Sequence, residues 1–287
     1  MQPGCLALES TCRKDDRAMT LSSTTSWRMY KFQADAGGLI TQEDEVAAEV
    51  ALTFHVNGTE FATIVCSPSD LSEMAIGFLA SEGAIRSADD VQSLTIDEDR
   101  GFIYAELRHA LAASTVADTS KRVIGSCCGK SRQFYLASDV KTARTSTSKV
   151  RLSPLQCLSL MRELQNASDT FQATGGLHNA ALGTADSLLA FRSDIGRHNA
   201  LDKLLGYSLI GKLRTRDLVI VFSGRLSSEV VLKAAKIGVG VILSKSAPTD
   251  LALKLADDLG ITCAGFIRGD TMNVYTHPER IAAEAAQ

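Results

Sequence analysis

The chain has no uninterrupted apolar stretch long enough to cross a membrane, which excludes a transmembrane helix. Its 287 residues carry little net charge, -3 with the histidines neutral, so the basic footprint of a nucleic-acid binder is missing. No apolar segment stands near the start, where a secretory signal would need one. That region is rich in Ser and Thr and patternless, and residues 1–43 are expected to form a disordered extension. Internal repeats, low-complexity tracts, the phosphate-loop spacing and the dinucleotide-binding glycine fingerprint are all absent. So are the Cys-x-x-Cys and His-x-x-x-His spacings that a zinc site favours, and no metal is expected.

Cysteine, by contrast, is present in an odd and irregular set of seven: Cys5, Cys12, Cys66, Cys127, Cys128, Cys157 and Cys263. A chain of this size needs no disulfide staples, so the set reads as free thiols in a reducing, cytoplasmic setting. Cys66, Cys157 and Cys263 lie in apolar patterns and are expected in the core. Cys127 and Cys128 are different. Adjacent Cα atoms are about 3.8 Å apart, and an unstrained disulfide wants about 4.4–6.8 Å, so the two do not bridge each other. Gly125 and Gly129 flank them, and Lys121, Arg122, Lys130 and Arg132 are close in sequence. Neighbouring positive charge raises the thiolate fraction, and the thiolate is the reactive species. Covalent sulfur chemistry on a loop is one reading; two small buried apolar residues is the other.

The rest of the chain falls into two halves. Val50–Val56 and Glu60–Val65 read as a hairpin turned by Asn57-Gly58, followed by a helix from Asp70 to Gly83. Val91–Ile96 and Phe102–Leu107 form a second hairpin, making residues 44–110 a small α+β part. Ser153-Pro154 starts a helix that runs to about Ala167. From Asp217 on, three short apolar runs alternate with helices at Ser227–Ile237 and Thr249–Leu259. That is successive βαβ, so residues 121–283 are expected to be an α/β part built on a mostly parallel sheet.

Ligands of such sheets bind beyond the carboxyl ends of the strands. The three runs end in Ser223-Gly224-Arg225, Ser244-Lys245-Ser246 and Arg268-Gly269-Asp270. Small residues let backbone N–H groups approach an anion, and the following helix offers its positive end. Three cations on one edge point to a phosphate-bearing ligand; ordinary solvated surface charge is the alternative. Thr174-Gly175-Gly176-Leu177-His178 and the segment Ser193 to Lys203 add polar residues. His178, Asp194 and His198 are candidates for proton transfer or ligand hydrogen bonding. Asp194 is equally a candidate helix cap, and either histidine a satisfied core residue.

Seven ordered segments resemble the formate dehydrogenase accessory sulfurtransferase family, FdhD. They are Phe78-Leu79-Ala80-Ser81-Glu82-Gly83, Ser126-Cys127-Cys128-Gly129-Lys130, Thr174 to His178, Asp194 to Ala200, Ser223 to Glu229, Ser246-Ala247-Pro248-Thr249, and Gly265 to Gly269 leading into Asn273-Val274-Tyr275. The resemblance spans about Glu43 to Ile281. It implies a three-layer α/β fold similar to the cytidine deaminases, and a homodimer. It implies a carrier that takes persulfide sulfur from a cysteine desulfurase and passes it to the molybdenum bis-molybdopterin guanine dinucleotide cofactor, before that cofactor enters formate dehydrogenase. The segment Phe266, Ile267, Arg268, Gly269, Asp270 and Thr271 would then lie against the cofactor, with Gly224, Arg225, Lys245, His178, Asp194 and His198 completing the site.

One departure concerns the thiols. Many members of the family carry Cys-x-x-Cys before the Gly-Lys; here Gly125 stands at the first position and Cys128 at the second, with Cys127 between. Either Cys127 or Cys128 is therefore the expected sulfur carrier. A second departure is Ser193, where the family's usual residue is acidic. Deamination itself is rejected: it needs His-x-Glu and Pro-Cys-x-x-Cys, but His178 is followed by Asn179 and Ala180, and no Pro-Cys-x-x-Cys occurs. The competing classes are a non-covalent cofactor chaperone and a nucleotide enzyme working through His178 and Asp194.

Overall fold

The computed structural model describes residues 22–35, 37–111, 123–124, 143, 145–167 and 174–281. Strands β1 (Thr24–Gln33) and β2 (Gly38–Ala47) pair antiparallel, from Thr24 opposite Ala47 to Gln33 opposite Gly38. Residues 24–43 therefore depart from the expected disordered extension. Thr, Trp, Tyr, Phe, Ile and Val are good strand formers, and they are frequent enough here to outweigh the polar character of the segment. Among the described residues the ribbon is paired with no other strand, and it leaves Trp27, Phe32 and Leu39 about two-thirds exposed (65%, 67% and 68%).

A five-stranded sheet follows, in the order β5–β6–β3–β4–β7, where β3 is Val50–Val56, β4 Thr59–Cys66, β5 Val91–Asp97, β6 Phe102–Leu107 and β7 Val123–Ile124. The Asn57-Gly58 turn has positive φ at both residues, 50° and 74°, as a tight hairpin turn of this type requires. Helix α1 (Leu71–Ser81) lies on this sheet through Phe78, whose ring centroid is 4.8 Å from that of Phe54 and 6.1 Å from that of Phe61.

The second half holds α2 (Pro154–Asn166), β8 (His178–Gly183), β9 (Leu188–Asp194), α3 (Arg197–Ile210), β10 (Val219–Phe222), α4 (Ser228–Ile237), β11 (Val241–Ser244), α5 (Asp250–Asp258), β12 (Thr262–Arg268) and β13 (Thr271–Val274). Its six strands run in the order β13–β12–β11–β10–β8–β9. Only β10–β11 and β11–β12 pair parallel; β12–β13, β10–β8 and β8–β9 are antiparallel. The sheet is thus mixed rather than mostly parallel. Helical crossovers join β9 to β10, β10 to β11 and β11 to β12, but β8 lies between β9 and β10 antiparallel to both, and the connections within β8–β9 and β12–β13 are too short for anything but hairpins.

Alternation along these strands builds two cores. Val219, Val221, Val241, Leu243 and Ala264 face α2, whose start is fixed by reciprocal bonds between Ser153 and Gln156. Ile220, Phe222, Ile242 and Cys263 join the other core with α3, α4, α5, α1 and the five-stranded sheet. Helices α1 and α3 cross so closely that a Cβ on Gly77 would overlap the Asp202 carbonyl, and one on Gly206 the Glu73 carbonyl. Buried ion pairs stand at the same junction. Lys233 Nζ is 2.5 Å from Asp202 Oδ1, and the Ser81 hydroxyl donates to that oxygen. Lys203 Nζ is 2.8 Å from Asp194 Oδ2.

Candidate functional site

The ends of β10, β11 and β12 are sewn together along one edge. Lys245 N–H donates to Phe222 O (3.1 Å), Ser244 Oγ to Gly224 O (2.7 Å) and Leu226 N–H to Ala247 O (3.0 Å). Phe266 N–H donates to Ser246 O (3.1 Å), and Arg268 Nε to Lys245 O (3.0 Å). Gly224, Arg225, Lys245 and Arg268 therefore share the edge read from the sequence. Arg225 and Arg268 are exposed and Lys245 is half-buried. Helices α4 and α5 begin just beyond the first two ends. The third end is different: β12 turns directly into β13, so no helix follows Arg268.

That turn shapes the segment 266–271. Phe266 has φ +52° at an irregularity in the β12–β13 pairing, a left-handed conformation uncommon for an aromatic residue. Its ring is 38% exposed, with the Arg268 guanidinium carbon 5.7 Å from the ring centroid. Ile267 points the other way, into the core under α2. Gly269 takes φ +54° at the tip, Asp270 pairs with Arg162 of α2 at 2.7 Å, and Thr271 Oγ1 donates to Arg268 O at 3.2 Å.

Beside this edge lies a cavity of about 270 Å³, lined by Gly175, Gly176, His178, Ser223, Lys245 and Leu164 among others. His178 opens β8, opposite Asp194. Burial, then the nearby Arg197 guanidinium, pull its imidazole below the ordinary value, against a weaker opposing pull from Asp194. The shift favours the neutral imidazole. Position 224 has room only for glycine: a Cβ there would strike the Phe222 ring and come within 3.4 Å of His178 Nδ1. Ser223 Oγ accepts the Asn179 N–H at 2.8 Å, which ties the end of β10 to the start of β8.

Asp194 and His198 support this region and are not part of the cavity wall. Asp194 is fully buried. Its Oδ1 accepts Gly196 N–H (2.8 Å) and Asn199 Nδ2 (2.9 Å), and its Oδ2 accepts Ser67 N–H (3.0 Å) beside Lys203. It thereby fixes the entry to α3, a role close to the capping alternative, although the bonded amide is that of Gly196, the residue just before the helix. His198 Nε2 lies 3.3 Å from Glu229 Oε2 and links the first turns of α3 and α4.

The pair Cys127 and Cys128, with Gly125, Gly129 and the flanking Lys121, Arg122, Lys130 and Arg132, lies outside the described residues. Cys66, Cys157 and Cys263 are free and buried, as expected, and burial pushes each thiol up to about 12. Among the described residues no group of three or more His, Cys, Asp or Glu side chains is placed to hold a metal, and no helix is long and apolar enough to cross a membrane. Sequence reasoning missed Ser223 and the Gly175-Gly176 rim as wall of a cavity, although both stood in quoted segments. A serine after a strand has no distinguishing spacing.

Fold and site together define a mixed α/β protein with a cation-bearing strand edge beside a small polar cavity. The FdhD/NarQ family model matches residues 47–282, and the chain belongs to that family. It is 55% identical over 258 residues to the sulfur carrier protein FdhD of Bacillus licheniformis, covering 90% of this chain and 97% of the relative. It is 59% identical over 245 residues to the protein of the same name from Halalkalibacterium halodurans, covering 85% and 90%. A crystal structure from Desulfotalea psychrophila, described as a candidate formate dehydrogenase accessory protein, superposes with a TM-score of 0.72 at 25% identity, over 91% of this chain and all of that one.

Proposed function

We propose that this chain carries sulfur from a cysteine desulfurase to the molybdenum bis-molybdopterin guanine dinucleotide cofactor of formate dehydrogenase, through a persulfide on Cys127 or Cys128. The thiolate attacks the outer sulfur of the donor persulfide, the donor S–S bond breaks, and the donor leaves as a thiolate. On delivery the carrier's own S–S bond breaks with its electron pair kept by the cysteine, and the acceptor supplies the two electrons that make the sulfur sulfide. Lys130 and Arg132 would hold the thiol in its reactive form.

The observation that carries this reading is the joined edge of Gly224, Arg225, Lys245, Phe266 and Arg268 beside His178. Arg225, Lys245 and Arg268 suit phosphates, and the exposed Phe266 ring suits a base. The cavity of about 270 Å³ is smaller than most ligand sites, about 300–1,000 Å³. It therefore takes one end of so large a ligand while the open edge takes the rest. Chain topology supports delivery. β7 pairs in parallel with Thr63–Ile64, and the same strand runs on to Cys66; Ser67 N–H then bonds Asp194, and Ile195 N–H bonds Ser67 Oγ at 3.1 Å. Cys127 is three residues beyond Ile124, a span of at most about 11 Å.

Three finer readings accompany this one. Helices on both faces of the mixed sheet support the likeness to cytidine deaminases. Three unpaired buried thiols support a reducing, cytoplasmic setting. A homodimer is the proposed working form, and the exposed apolar side chains of the β1–β2 ribbon, Tyr30, Phe32 and Leu39 on one face and Trp27 and Ile40 on the other, support it, since an isolated two-stranded sheet is marginal in water. The deciding experiment incubates the protein with a cysteine desulfurase and labelled cysteine and maps the label by mass spectrometry. A persulfide on Cys127 or Cys128 is expected; label that survives Cys127→Ala with Cys128→Ala removes this pair as the carrier, and a double variant that still restores formate dehydrogenase leaves a non-covalent chaperone instead.

A further inference from the structure

Four buried or half-buried cations of the described residues have partners within the chain. Arg192 is held by Glu73, Lys203 by Asp194, Lys233 by Asp202, and Lys236 by the Ser81 carbonyl. Arg197 breaks the pattern. Its side chain is half-buried, its Nε is shielded from solvent without a hydrogen-bond partner, and among the described residues its guanidinium forms no ion pair. Asp194, three residues before it, is already engaged by Lys203. A buried unsatisfied guanidinium N–H is costly, and such groups are rare enough in folded proteins to require an explanation.

Its position supplies one. Arg197 is the first residue of the 14-residue helix α3, directly after the Asp194–Gly196 anchor that fixes the entry to that helix. Its charge acts on His178, which lines the cavity, and His178 in turn lies against Gly224 at the end of β10. The His198–Glu229 contact brings the start of α4 alongside, so two helix N-termini meet there with their positive ends. A cation left unpaired at such a point lacks only an anion, and the bound ligand can provide it.

We propose that Arg197 is a ligand-binding residue of this site, its guanidinium taking an anionic group of the cofactor, in the chemistry of a phosphate or pyrophosphate, on the α3 side of His178. This rests on the reading of the edge as the cofactor site. It adds a fourth cation on a different element from Arg225, Lys245 and Arg268. A planar guanidinium, rather than any positive charge, is what the position uses, because two parallel N–H groups match a phosphate oxygen pair.

The test is titration of the full-length protein with guanosine diphosphate, the nucleotide end of the proposed cofactor, by calorimetry at two salt concentrations. Arg197→Met is expected to weaken binding about tenfold or more and to flatten the salt dependence. Arg197→Lys, which keeps the charge and loses the fork, is expected to fall between the two, and it decides the matter alone if Arg197→Met does not fold. Proton NMR adds an independent readout: removing the Arg197 charge raises the His178 pKa. Wild-type binding with both variants within twofold of it overturns this inference and leaves the edge reading standing. No binding of guanosine diphosphate by the wild type removes the edge reading, and this inference with it.

Discussion

Lys203 Nζ stands 2.8 Å from Asp194 Oδ2, and neither side chain is exposed to solvent. The same ammonium donates to Ser69 Oγ and Ser193 O, while the carboxylate receives the Ser67 amide. One buried pair thus joins the α+β half to the α/β half. Replacing Lys203 with Met strands a carboxylate in the interior, and a loss of about 3–5 kcal/mol is expected. Urea unfolding of Lys203→Met against wild type measures it; a change under about 1 kcal/mol would mean that the pair adds little to the joint between the halves.

Phe266 holds a left-handed backbone that costs a non-glycine residue about 1–3 kcal/mol. Its ring is partly exposed and adds little to the core. Phe266→Gly should therefore change stability by less than about 1 kcal/mol in either direction, relief of strain offsetting lost contacts and added chain entropy. Guanosine diphosphate binding should nevertheless fall severalfold through the lost stacking surface. Thermal melts and calorimetry on one preparation separate the two effects; unchanged affinity would take Phe266 out of the site.

His178 has a folded pKa below its ordinary value, chiefly through burial and then through Arg197. The folded state therefore binds fewer protons at this position than the unfolded chain. Its contribution to stability is complete above about pH 6.5 and is lost as pH falls from there through the folded value. His178→Asn should remove that component from the acid limb of a stability-versus-pH curve. A bound anion should raise the imidazole pKa, which proton NMR of the five histidines follows directly.

Burial pushes the Cys66, Cys157 and Cys263 thiols up to about 12. At pH 8 almost no thiolate is present at these three, and the packing around them blocks reagent as well. Brief alkylation of the native protein should leave all three unmodified in peptide mass spectra, and all seven cysteines should react in guanidinium. Native-state modification of any of the three would show that the core opens locally on the labelling timescale.

Much of the fold is legible along the chain because it is local. Asn57-Gly58 names its own turn, Ser153-Pro154 its own helix start, and the apolar runs at β10, β11 and β12 name three buried strands. The family segments are likewise continuous in sequence, and the three cations after those strands are readable from spacing alone. The Trp27–Ile40 ribbon was less legible, since its apolar residues mix with charges and face no core.

Three-dimensional contact decided the rest, because the free energy of a polar side chain depends on neighbours that the sequence separates widely. Nothing near Asp194 in the chain announces Ser67, 127 residues away, as the donor that engages it. Nothing near Phe266 announces the bulge that turns its ring outward while Ile267 faces inward. A strand's alternation assigns faces, but which face meets a helix, which way a strand pairs, and which guanidinium is left without an anion are settled only when distant segments pack.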